Sequence, residues 1–124
     1  MTKILEIYKC NVCGNIIEVI HTGEGKLVCC GKTMELQNPK TQDEGSEKHV
    51  PAIEKIDSAT LIKVGEIPHP MEENHFIEWI EVEKNGRAIR KFLKPGEEPK
   101  AEFCMKREVN AKIYCNIHGL WKNN

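Results

Sequence analysis

Aromatic side chains are scarce in this sequence, at 6 % of 124 residues, so no large aromatic surface is expected. A basic excess is missing too: 18 Lys and Arg against 19 Asp and Glu leave a formal net charge of -1. That balance argues against a nucleic-acid binder. No apolar run approaches the roughly 20 residues needed to cross a bilayer. The start, Met1-Thr2-Lys3-Ile4-Leu5-Glu6, has no long apolar stretch behind a basic residue. No signal peptide is expected on that ground, and the cytoplasm is the expected location. Also lacking are any helical periodicity of useful length and any internal repeat.

What is present is β signal. Hydrophobic residues make up 40 %, enough for a modest core, and the length suits a small module followed by a medium domain. Ile4–Tyr8 and Ile16–Ile20 read as strands, Gly23-Glu24-Gly25 as a turn, and Lys26–Val28 leads into a cysteine pair. Residues 38–48 are polar and read as a linker and loop, which puts the domain boundary near Pro39, with modules at 1–38 and 39–124. Further on, Ala59–Val64, Phe76–Glu83, Arg87–Lys94, Ala101–Lys106 and Val109–Cys115 read as strands. Asn85-Gly86 between two of them is a type I′ hairpin signal, because both central residues need positive φ. Short strands at this spacing predict an all-β fold with a β-sandwich in the larger part. At period two, Val109, Ala111, Ile113 and Cys115 share one face of the last strand, so Cys115 is expected to point inward at a strand end.

Six cysteines require a use, and in a reducing compartment metal-held thiolates are favoured over disulfides. Cys10-Asn11-Val12-Cys13-Gly14 is a knuckle: two intervening residues let both sulfurs face one point, and Gly14 permits the tight turn. Cys29-Cys30-Gly31 follows. Four thiolates make a tetrahedral site suited to zinc or a single iron. Adjacent cysteines diverge on extended backbone, so both reach one metal only if the chain bends there. A module of 38 residues buries little apolar area, so metal, and dimerisation, are expected to support it.

Five histidines are present, and four lie in tight motifs. These are Glu47-Lys48-His49-Val50-Pro51, His69-Pro70-Met71-Glu72-Glu73-Asn74-His75 and Cys115-Asn116-Ile117-His118-Gly119-Leu120-Trp121. His21 stands alone beside a turn and reads as an ordinary surface residue. Neutral imidazoles with a thiolate suit a borderline divalent metal. Five protein ligands without a carboxylate exceed the usual zinc set and fit an iron that keeps one position open. A blue-copper reading lacks its weak axial Met, since Gly119-Leu120-Trp121 supplies none.

With these motifs in place, the sequence resembles the desulfoferrodoxins, the two-iron form of superoxide reductase, over nearly its whole length. Cys10-x-x-Cys13 with Cys29-Cys30 resembles that family's desulforedoxin-like module, and the three histidine motifs resemble its catalytic domain. The resemblance implies a small rubredoxin-like module before an immunoglobulin-like β-sandwich, two irons per chain, and a homodimer. It implies an Fe(Cys)4 site at Cys10, Cys13, Cys29 and Cys30. It implies His49, His69, His75 and His118 around a second, ferrous iron, with Cys115 axial. Lys48 would then attract superoxide, and Glu47 would occupy the sixth position of the resting ferric state. The implied reaction is one-electron reduction of superoxide to hydrogen peroxide, with rubredoxin or a similar external donor restoring the ferrous state. Cys104 matches no motif and is expected to be a buried strand thiol. Two rivals are a zinc-ribbon interaction or nucleic-acid module, which leaves the histidines unused, and a two-iron electron carrier without substrate.

Overall fold

Short apolar runs bounded by Gly, Asn and Pro form short antiparallel strands throughout this chain. The computed structural model describes residues 1–42, 49–65, 68–105 and 109–123. Among them there is no helix, and the fold is all-β, as the strand signals predicted. The chain divides into two compact units, Met1–Asn38 and Pro39–Asn124.

In the first unit, β1 (Ile7–Lys9) lies between β2 (Ile16–Glu18) and β5 (Glu35–Gln37), both antiparallel to it. A second ribbon pairs β3 (Val28–Cys29) with β4 (Lys32–Thr33). The first strand is shorter than expected because Leu5 takes a left-handed φ of 68° and bends the chain before it. The core here is slight: Ile7, Cys10, Val19 and Met34 are its buried apolar residues. So small a core leaves this unit dependent on cross-links of another kind.

In the second unit, β10 (Lys100–Phe103), β7 (Ala59–Val64) and β6 (Pro51–Ile56) form one antiparallel sheet. The other runs β12 (Gly119–Lys122), β11 (Asn110–Cys115), β8 (Ile77–Lys84) and β9 (Arg87–Phe92). One core joins them: Ile62, Val64, Ala101 and Phe103 from the first sheet meet Ile77, Ile80, Val82, Ala111, Ile113 and Cys115 from the second. This is a β-sandwich. Burying each such Ile completely contributes about 1.5–3 kcal/mol. The β8–β9 hairpin turns at Asn85 and Gly86, with φ of 49° and 80°, as its dipeptide predicted. Strands β6 and β12 carried no clear strand signal. β6 begins at a proline and its second half is exposed, and β12 is only four residues long.

Period two holds along β11 until its end. There Tyr114 pairs with Trp79 while Cys115 pairs with Ile77, so Glu78 is the extra residue of a bulge. Cys115 stays on the core face and is fully buried. Cys104 corrects an expectation: it is exposed and lies just beyond β10. Ala101, Phe103 and Met105 take the inward positions of this alternation, which leaves residue 104 facing out.

Candidate metal centres

The first cluster is built by two turns. Gly14, at φ 86°, donates its amide to the Cys10 carbonyl at 2.9 Å and folds the knuckle back. Between β3 and β4, Cys30 and Gly31 both have positive φ, 54° and 73°. This is the bend that adjacent cysteines require to share one point. The four cysteines are free, and their sulfurs lie within 4.8 Å of one another. Cys13 Sγ is 3.6 Å from Cys29 Sγ, and Cys29 Sγ is 3.9 Å from Cys30 Sγ. A tetrahedron with metal–sulfur bonds of about 2.3 Å has edges of about 3.8 Å. A disulfide would need about 2.05 Å.

Electrostatics also favour a cation there. Amides of Cys13 and Val12 donate toward the Cys10 sulfur and hold its pKa down at about 6. Cys13, Cys29 and Cys10 crowd Cys30 and push its thiol up to about 12. Cys29 is raised as well, chiefly by Cys13 and then Cys10. Four thiolates this close cannot all ionise alone, and a bound metal removes that conflict.

The second cluster gathers residues from four places in the larger unit. His49 precedes β6, His69 and His75 lie between β7 and β8, Cys115 ends β11, and His118 sits in the turn before β12. Their ligand atoms lie within 4.8 Å of one another. The rings close a square: His49–His69 4.7 Å, His69–His75 4.7 Å, His75–His118 5.1 Å and His118–His49 4.6 Å between centroids. Each ring is tilted steeply to its neighbours, by 63° to 81°. Cys115 Sγ is 3.5 Å from His69 Nε2 and 3.8 Å from His118 Nδ1.

The chemistry of this donor set fits a metal. His49 Nε2 and His118 Nδ1 are 3.0 Å apart, the separation expected of neighbouring ligands on bonds of about 2.1 Å. His75 Nε2 is buried with no hydrogen-bond partner, a state that costs about 1–3 kcal/mol unless something else takes its lone pair. His69 Nδ1 lies 2.7 Å from the Pro70 carbonyl, so it carries the proton and leaves Nε2 free. Burial holds the His69 pKa down at about 4, so its ring is neutral and ready to ligate. Burial pushes the Cys115 thiol up, while the amides of His118 and Ile117 act against that. The His118 amide donates to Cys115 Sγ at 3.4 Å.

Supporting residues frame the square. Glu72 and His75 exchange two backbone hydrogen bonds, at 2.9 and 3.1 Å, which fixes the turn that carries His75. Asn116 ties that turn to the Cys115–His118 loop. Its Oδ1 accepts from the Phe76 amide at 2.9 Å, and its Nδ2 donates to the Asn74 carbonyl at 3.1 Å. Trp121 stacks on His49 at 4.6 Å and 13°, and its Nε1 donates to the His118 carbonyl at 3.2 Å. The Cys115-to-Trp121 motif contains Asn116 and Trp121 but gives neither of them a role. Their positions between and just beyond two ligands were the only signal. Glu47 and Lys48 lie outside the described residues.

Comparison with known proteins agrees with this layout. The family described as desulfoferrodoxin matches residues 41–124, and the one described as desulfoferrodoxin, N-terminal domain, matches residues 2–37. A desulfoferrodoxin homolog of Archaeoglobus fulgidus is 59 % identical over 99 % of each chain. A superoxide reductase of Pyrococcus abyssi is 38 % identical, over 68 % of this chain and 90 % of that one. The solved superoxide reductase of Treponema pallidum shares the fold with a TM-score of 0.80 at 22 % identity, covering 97 % of this chain and 98 % of that one. With both units matched in order and full-length relatives this similar, the chain belongs to the desulfoferrodoxin family.

Proposed function

We propose that this protein is a superoxide reductase holding two irons per chain, one in the Cys10–Cys13–Cys29–Cys30 cluster and one among His49, His69, His75, His118 and Cys115. The observation that carries the reading is the closed square of four imidazoles with a buried cysteine sulfur against it. The similar superoxide reductase of Pyrococcus abyssi supports it. When bound there, ferrous iron supplies one electron and a position for an anion, so that superoxide and two protons become hydrogen peroxide, and an external one-electron donor restores the ferrous state.

The residues serve that chemistry in distinct ways. Imidazoles bind a metal through a free ring nitrogen, and burial keeps His69 in the neutral form that this requires. Cys115 contributes negative charge from the core side, a lever on redox centres generally. His118 is exposed, which leaves the centre reachable by a small anion. Lys48, next to His49 in sequence, would attract superoxide, and Glu47 would offer a carboxylate to the iron at rest. A rubredoxin-like protein is the donor. The active species is a homodimer, because the first unit has so slight a core. The cytoplasm is its location, a setting in which free cysteines persist. No helix of the described residues is long and apolar enough to cross a membrane.

The test is metal analysis, a visible spectrum and superoxide consumption by the reduced protein. Two irons per chain and one peroxide per superoxide, without oxygen evolution, are expected. One peroxide per two superoxides, with oxygen released, would be dismutation and would defeat the proposal. Sedimentation at micromolar concentration checks the dimer: a clean monomer rejects it.

A further inference from the structure

Lys40 is an exposed lysine in a stretch that reads as linker, yet both its backbone and its side chain are hydrogen-bonded. Its amide donates to the Leu120 carbonyl at 3.0 Å, and its own carbonyl accepts from the Lys122 amide at 2.9 Å. The backbone therefore lies as a parallel bridge beside Trp121. The side chain is anchored as well. Lys40 Nζ donates to the His118 carbonyl at 3.1 Å and sits 5.0 Å from the centroid of the Trp121 ring. That carbonyl also takes the Trp121 Nε1 hydrogen bond, at 3.2 Å, and the same indole lies flat on His49. One ammonium thus bears on two of the five candidate ligands. It reaches His118 through its carbonyl and His49 through the stacked indole.

An exposed lysine tied down in this way gives up side-chain entropy of up to about 2 kcal/mol. Solvated surface charges do not normally do so. We propose that Lys40 is a positioning residue for the His49–His69–His75–His118–Cys115 centre, placing a fixed positive charge against it. The inference rests on the superoxide reductase reading and names a regulator of that same site. A fixed cation disfavours the state carrying one more positive charge, so it holds the centre toward its reduced form. It also adds to the field that draws in an anion. Both effects belong to the charge. Support of the His118 carbonyl belongs to the hydrogen bond. The two can be separated by substitution.

The experiment compares Lys40→Gln, Lys40→Arg and Arg87→Gln in the full-length iron-loaded protein. Lys40→Gln keeps an amide donor and loses the charge, and Lys40→Arg keeps both. Arg87 opens β9 beside the Asn85–Gly86 turn, at the Asn110 end of β11. That end is roughly 17 Å from Cys115 along the strand, about two Debye lengths away at physiological salt. The midpoint potential of the second centre is read from its own visible band by spectroelectrochemistry, and the second-order rate with superoxide is followed across a salt series. In Lys40→Gln the redox equilibrium should move roughly three- to tenfold toward the oxidised form, tenfold being about 59 mV for one electron. Its rate should fall several-fold at low salt and converge on the parent at high salt. Lys40→Arg and Arg87→Gln should match the parent in potential. Parent-like potential and salt slope in Lys40→Gln would overturn the proposal. So would equal shifts in Lys40→Arg, or loss of iron from the second centre in Lys40→Gln, since either makes the role structural. If the parent protein itself consumed no superoxide, the functional reading would fail, while the potential shift would still decide the role of Lys40.

Discussion

Replacing Asn116 with alanine tests whether one side chain between two ligands sets the geometry of the second centre. The substitution removes the half-buried bond to the Phe76 amide and the exposed bond to the Asn74 carbonyl. The first is worth about 1 kcal/mol and the second about 0.5 kcal/mol, and stranding the Phe76 amide adds up to about 1 kcal/mol. A loss of about 2 kcal/mol from a domain of this size lowers Tm by roughly 10 °C. Both lost bonds hold the residues flanking His75, so the damage should concentrate there. If most of it falls on that turn, retention of the second iron weakens by roughly tenfold, since 1.4 kcal/mol is one decade. The assays are thermal unfolding and the rate of iron transfer to a chelator, followed at the second centre's visible band. Asn116→Asp keeps the acceptor for Phe76 and should fall between parent and alanine. The bands of the first centre should not move. An unchanged Tm together with an unchanged transfer rate would refute the argument that Asn116 clamps the His75 turn.

Cys13→Ser should empty or convert only the first centre, and Cys115→Ser should abolish only the sulfur-to-iron band of the second; loss of both centres from either change would contradict two independent sites. Lys48→Ala should slow the reaction with superoxide by roughly one order of magnitude at low salt and flatten its salt dependence, with iron content unchanged, as pulse radiolysis can measure. In metal-free protein, His69 has a folded pKa of about 4, below its usual 6.5. The folded state then binds fewer protons than the unfolded one. That stability is therefore complete above about pH 6.5 and lost as pH falls toward 4. Chemical denaturation across that range should show the decline, and His69→Gln should flatten it.

The sequence by itself determined the elements of coordination chemistry. Cys10-x-x-Cys13, Cys29-Cys30 and the three histidine motifs were readable because a metal demands particular side chains, and short local spacings leave them few other uses. The type I′ turn at Asn85-Gly86 and the inward face of Val109, Ala111, Ile113 and Cys115 were readable for a similar reason. Positive φ and period two are properties of neighbours in the chain. Tertiary structure decided the rest. Which ring stands beside which, and which nitrogen each histidine presents, depends on four segments meeting. Cys104 was placed wrongly because a cysteine inside the expected strand reads as apolar, whereas Ala101, Phe103 and Met105 take the inward positions and it faces out. Asn116 acts on a residue 40 positions away, and Lys40 on one 78 positions away. Both read as loop residues in the sequence, because the free energy that fixes them comes from contacts that exist only once the sheets have closed.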